Sequence, residues 1–227
     1  MPIRQNLSAL HERISRAAAG CGRDPASVRL VTVTKTQGVE AVRAAIHAGS
    51  VIVGENYIQE AREKFDALAA LPAEWHFIGH LQTNKAKYAV RMFALIHTVD
   101  SEKLAAELDK QAGKIGKTQN ILVQVNIGAE PTKSGVDPDQ AADLVRRISG
   151  YENICIQGLM AMPPFFDAPE RARPFFRELR RLSNRIQEQI QMPALELSMG
   201  MSGDFEVAIE EGATLVRIGT AIFGARP

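Results

Sequence analysis

Short apolar runs rich in β-branched residues alternate along this chain with longer stretches whose apolar positions recur every three to four residues. The first run, Leu30-Val31-Thr32-Val33-Thr34-Lys35, has Asp24-Pro25 before it and Gln37-Gly38 after it, both turn signals. Runs of the same kind predict strands near 28–34, 50–54, 74–79, 94–99, 120–127, 154–160, 194–198 and 214–218. Helical spacing predicts helices near 38–48, 56–70, 83–92, 101–115, 138–150, 168–191 and 203–211. An amphipathic helix from Met1 to Arg16 precedes them, with Leu7, Leu10 and Ile14 on one face. Strands joined by helical crossovers pair in parallel with right-handed connections. An open doubly wound sheet and a closed barrel both fit that alternation. Eight strands, with candidate chemistry recurring at their carboxyl ends, favour the barrel. The expected fold is α/β, a single (β/α)8 TIM-type barrel over 1–227 with an additional N-terminal helix.

Charge and composition narrow the classes of function. Lys and Arg number 27 against 26 Asp and Glu, and the two signs are interspersed. No basic face emerges, so nucleic acid is a poor partner. Cys21 and Cys155 stand in unrelated contexts, which argues for a reducing compartment and against a metal or disulfide framework. The first helix lacks the apolar core of a signal peptide, and no apolar run approaches a membrane span. A cytoplasmic location is expected.

The candidate chemistry sits at strand ends. Lys35 shares a face with Val31 and Val33, where burial favours a nucleophilic amine. The alternative is a lysine that closes the strand and snorkels to solvent. Asn56, after the second strand, offers an amide to a ligand or an N-cap to the next helix. His76 and His80 share a face but stand roughly 13 Å apart along an extended strand. One ion does not span them; His76 reads as a satisfied core histidine and His80 as a pocket wall. Thr83 reads as a helix cap, and Lys85 and Lys87 as a solvated face. Lys133-Ser134-Gly135, after a strand carrying Gln124 and Asn126, reads equally as a lid or a surface turn. The 168–191 helix carries six arginines with interleaved glutamates and reads as a solvated face. Met160 and Met162 read as core.

The last forty residues carry the second half of a site. Ser198-Met199-Gly200-Met201-Ser202-Gly203-Asp204 leads into a helix, and Arg217-Ile218-Gly219-Thr220 closes the final strand. Small residues before helix starts expose backbone N–H groups suited to phosphate. Loops after strands seven and eight are where barrels often build phosphate sites. An inward lysine facing such a cradle is what pyridoxal 5′-phosphate (PLP) requires. Arg217 would point inward and disfavour protonation of the pyridine nitrogen; its alternative role is an ion pair to Glu196 or Glu206.

These residues also carry a resemblance. Trp75-His76-Phe77-Ile78-Gly79-His80-Leu81-Gln82-Thr83-Asn84-Lys85 resembles the signature of the pyridoxal phosphate homeostasis proteins. Val33-Thr34-Lys35, Gly54-Glu55-Asn56-Tyr57, Gly158-Leu159-Met160, Leu197 to Ser202 and Arg217 to Thr220 match its other blocks in order. The resemblance spans essentially the whole chain. It implies a barrel similar to the N-terminal domain of alanine racemase, with PLP held as a Schiff base on Lys35. It also implies phosphate contacts at Ser202, Gly219 and Thr220, with Arg217 near the pyridine nitrogen; Ser198 competes with Ser202, which stands nearer the helix. A monomer that buffers PLP and delivers it to apo PLP-dependent enzymes, without clear turnover, is the implied function. The racemase has a second domain and a tyrosine from a partner chain opposite its lysine. This chain stops at Pro227, and Tyr57, Tyr88 and Tyr151 are not clearly placed for that role. The competing functions are a PLP-dependent amino-acid racemase or lyase, and a cofactor-free Schiff-base aldolase using Lys35.

Overall fold

The computed structural model describes residues 2–130 and 134–224. Its strands close into a barrel in sequence order: β1 (Arg29–Val33), β2 (Ile52–Glu55), β3 (Glu74–Phe77), β4 (Leu95–Val99), β5 (Gln119–Val125), β6 (Ile154–Ala161), β7 (Glu196–Ser198) and β8 (Leu215–Ile218). Every neighbouring pair is parallel, and β8 returns to β1 with Val31 opposite Arg217. The closed barrel is therefore the correct alternative. It removes the exposed edges that an open sheet would leave.

The crossovers are α2 (Val39–His47), α3 (Ile58–Ala67), α4 (Ala86–Met92), α5 (Glu102–Gly113), α6 (Pro138–Ile148), α7 (Arg173–Ile190) and α8 (Phe205–Glu210). Two expected helices open as 3-10 turns. The 168–191 stretch begins as a 3-10 turn, Pro169–Ala172, because Pro174 fits only the first turn of the α-helix that follows. The 83–92 stretch likewise opens as a 3-10 turn, Thr83–Lys85, and Thr83 caps nothing. A last helix, α9 (Thr220–Phe223), follows β8 and is one turn long, too short for a periodic signal.

Two apolar layers result. The larger lies between strands and helices. The smaller fills the barrel with Val31, Ile52, Ile78, Leu95, Leu122, Met160 and Leu215. Gly54 makes room in it: a Cβ there would stand 2.7 Å from Val31 Cγ1. The N-terminal helix α1 (Pro2–Gly20) runs a turn further than expected and buries Leu7, Leu10, Ile14 and Ala18. Each of the larger three contributes about 1.5–3 kcal/mol. It packs on α8 and α9, with Asn6 Nδ2 donating to Ile222 O at 2.9 Å and Arg13 paired with Glu206.

The arginines of α7 are more engaged than a solvated face. Arg173, Arg177 and Arg180 converge on Glu211, whose side chain is 6 % exposed. Burial works against the Glu211 charge, but Arg177 and Arg173 hold its carboxyl below the usual range. Glu196 and Glu206 pair with Arg29 and Arg13 instead of with Arg217. Among the described residues no helix is long and apolar enough to cross a membrane.

Candidate functional site

A cavity of about 300 Å³ opens at the carboxyl ends of the strands, at the lower end of the range for small-molecule pockets. Lys35, Asn56, Ser202, Arg217, Gly219 and Thr220 all line it, drawn from the ends of β1, β2, β7 and β8. Parallel strands converge their carboxyl ends on one mouth, which is why positions so distant in sequence meet. Val33, Ile78, Met162 and Phe166 supply apolar walls, and Phe165, 84 % exposed, stands at the rim.

Lys35 lies two residues past the end of β1 and is half-buried. Its neighbours are clamped from behind. Thr34 Oγ1 donates to Glu55 Oε1 at 2.6 Å, and Lys64 Nζ donates to Thr34 O at 2.6 Å, Glu55 Oε1 at 2.7 Å and Glu60 Oε1 at 2.7 Å. Thr36 N–H donates to Glu60 Oε1. Thr36 has φ 65°, a conformation a β-branched residue adopts only under constraint. Burial pushes the Glu55 carboxyl up, against the pull of Lys64 and Thr34, and its Oε2 has no hydrogen-bond partner.

Asn56 is not a helix cap. The cap position of α3 is Tyr57, and the Asn56 Oδ1 is buried without a partner. Gly79 sets its place: a Cβ on Gly79 would lie 2.1 Å from Asn56 O, so only glycine lets the two backbones touch. Ser202 and Gly203 follow β7, and their amides donate to no backbone carbonyl among the described residues. Asp204 accepts from Met201 N at 2.6 Å. Burial raises its carboxyl despite that bond and Arg217.

Arg217 is 4 % exposed and points into the barrel. It donates to Ser198 Oγ at 2.6 Å and Ala161 O at 3.0 Å. Burial lowers it to about 10, still a cation at neutral pH. Ser198 is thus committed below the cavity, while Ser202 lines it. His76 is a buried, bonded core residue. His80 is exposed in an adjoining pocket with Tyr57 and Lys85, 3.2 Å from Ser134 Oγ. No cluster of metal-ligating residues occurs among the described residues. Lys133 lies outside them.

Sequence reasoning missed Glu55 and Lys64 as a buried pair, and His97 altogether. Periodicity alone makes Lys64 an ordinary helix lysine. His97 alternates with Leu95 on β4, the one signal that it faces the barrel interior.

Comparison with known proteins gives consistent matches. The model of the alanine racemase N-terminal domain family matches residues 5–227. The pyridoxal phosphate homeostasis protein of Aquifex aeolicus is 45% identical over 222 residues, covering 98% of this chain and 97% of that one. PipY of Synechococcus elongatus, in a structure with PLP bound, superposes with a TM-score of 0.87 at 37% identity, covering 98% of this chain and 100% of that one. An alanine racemase of Clostridium difficile superposes at 0.77 with 16% identity, covering 100% of this chain but 60% of that one; it shares the fold.

Proposed function

The chain belongs to the pyridoxal phosphate homeostasis proteins, within the alanine racemase N-terminal domain family, and from that we propose that its cavity holds PLP covalently through the Lys35 amine and releases it again. The observation that carries this reading is the convergence on one cavity of an amine, a guanidinium, two hydroxyls and backbone amides that donate to no backbone carbonyl among the described residues.

The donor set fits the cofactor end to end. The Asn56 Oδ1, buried and unpartnered, is a further polar atom awaiting a ligand. When bound, PLP supplies an aldehyde that condenses reversibly with an amine. Lys35 offers that amine from a loop whose flanking residues are fixed by Glu55, Lys64 and Glu60. Ser202 and Thr220, with the amides around Gly203 and Gly219, serve the phosphate. Arg217 serves the ring nitrogen. A guanidinium donates but accepts nothing, so it holds that nitrogen unprotonated and weakens any carbanion chemistry.

Buffering and delivery, rather than turnover, is the reading that the relatives' name, homeostasis protein, supports. None of the lining residues is a tyrosine; Tyr57 belongs to the adjoining pocket, and Tyr88 packs under Lys87. The only carboxyl among the lining residues is Asp204, which accepts from Met201 N in the turn after β7. We take the protein to act as a cytoplasmic monomer that passes PLP to apo-enzymes.

The test is an absorbance titration of cofactor-free protein with PLP, wild type beside Lys35→Ala, followed by borohydride reduction and peptide mass mapping. A new band in wild type alone, with the reduced adduct on Lys35 and no product from added amino acids, is expected. Accumulating product would make the protein an enzyme. Absence of any band would remove the cofactor.

A further inference from the structure

A hydrogen-bonded chain crosses the inside of the barrel beneath the cavity. From Arg217 Nη1 it runs to Ser198 Oγ at 2.6 Å. Ser198 Oγ lies 2.9 Å from His97 Nδ1, and His97 Nε2 lies 2.9 Å from His76 Nδ1. His76 Nε2 then reaches Glu74 Oε1 at 2.9 Å. Ser198, His97 and His76 are fully buried, whereas the Glu74 side chain is 46 % exposed at the opposite mouth of the barrel.

The two ends dictate the direction of every link. A guanidinium only donates, and an ionised carboxylate only accepts. Ser198 accepts from Arg217 and gives its own proton to His97 Nδ1. A neutral His97 then carries its proton on Nε2 and donates it to His76 Nδ1, and His76 donates from Nε2 to Glu74. The opposite tautomers would set a ring lone pair against the Glu74 carboxylate and leave the Ser198 proton without an acceptor in the chain. Neutral rings suit the surroundings. Burial, His76, Arg217 and Arg29 hold His97 well below the usual imidazole range. Burial and Arg29 also lower His76, while Glu74 and Glu196 pull against them.

We propose that Ser198, His97, His76 and Glu74 are positioning residues for Arg217, a one-way chain that fixes the guanidinium at the cavity floor and makes an exposed carboxylate on the far mouth a remote determinant of that cavity. The role at the cavity rests on the PLP reading; the chain itself is testable without cofactor.

The first measurement is nitrogen-15 NMR of histidine-labelled, cofactor-free protein near neutral pH. His76 and His97 are expected as neutral rings protonated on Nε2; an Nδ1–H tautomer or an imidazolium at either overturns the chain. Glu74→Ala, at the exposed end, is expected to move the His97 ring signals as well as those of His76. An unmoved His97 overturns the coupling. Ser198→Ala is expected to weaken PLP binding about tenfold, roughly 1.4 kcal/mol, and to displace the pH profile of the bound absorbance, with Ser198→Thr restoring both. A folded Ser198→Ala variant that titrates as wild type overturns the positioning role. Should wild type take up no PLP, the cofactor reading fails, while the histidine signals still decide whether the chain exists.

Discussion

Lys64 Nζ lies 2.6 Å from the carbonyl oxygen of Thr34, the residue immediately before Lys35. A cation buried on α3 thus holds the backbone that presents the amine, and it is held in turn by Glu55 and Glu60. Removing one member of such a pair strands the other.

Lys64→Met should therefore cost about 3–5 kcal/mol in urea denaturation, with Glu55 left buried and unpaired. Lys64→Met combined with Glu55→Gln should be less costly than Lys64→Met alone. A double variant as unstable as the sum of its parts would mean that the two side chains are not coupled.

Gly79→Ala tests the close approach of the segment after β3 to Asn56. The added Cβ meets backbone rather than a yielding side chain, so the turn after β2 must shift. A stability loss of about 1–3 kcal/mol and a several-fold weaker PLP titration are expected. Gly20→Ala, where nothing lies within 4 Å, is the control and should leave the titration unchanged.

The buried histidines make the fold acid-sensitive. His76 and His97 bind protons less readily folded than unfolded, so their contribution is full above the unfolded imidazole value of about 6.5 and is lost as pH falls below it. Each should remove up to about 1.4 kcal/mol per pH unit over that window. Glu55 and Asp204, whose carboxyls burial raises, act in the opposite sense. The histidine part is read as the difference in slope between wild type and His97→Gln in denaturation at a series of pH values. Parallel slopes would mean that His97 is not buried neutral.

Asp204 sets a carboxylate beside the amides of Ser202 and Gly203. Asp204→Asn keeps an oxygen for the Met201 N–H and removes the charge. Phosphate should then compete with PLP a few-fold better near neutral pH. Weaker competition would move the phosphate away from this turn.

What the sequence disclosed and what it withheld follow from the range of the interactions. Val31, Val33 and Lys35 alternate within one short segment, so the pleat gave the face Lys35 takes, and the loops after β7 and β8 were needed to decide between an inward amine and one reaching solvent. Arg217 was legible in direction but not in partner: Ser198 and Ala161 reach it across the barrel, and an ion pair to Glu196 or Glu206 stood as the alternative. Thr83 and Asn56 suited helix caps by residue type, yet the chain enters those helices at Gln82 and Tyr57 instead. The clamp of Lys64 on Thr34 joins residues thirty apart, which no periodicity encodes.

The seating of α1 has a consequence for the order of assembly. Its apolar face is completed by α8 and α9, close to two hundred residues later, and Arg23 reaches on to the carbonyl of Ile209. A segment made before any strand of the barrel thus completes its packing only against elements made near the end of it. Ring closure and docking of α1 become one slow, long-range event. Since α9 begins at Thr220, on the cavity wall, the pocket is finished only at that moment. A nascent chain still short of β8 would display a lysine with no pocket around it, so cofactor capture reports a fully closed barrel.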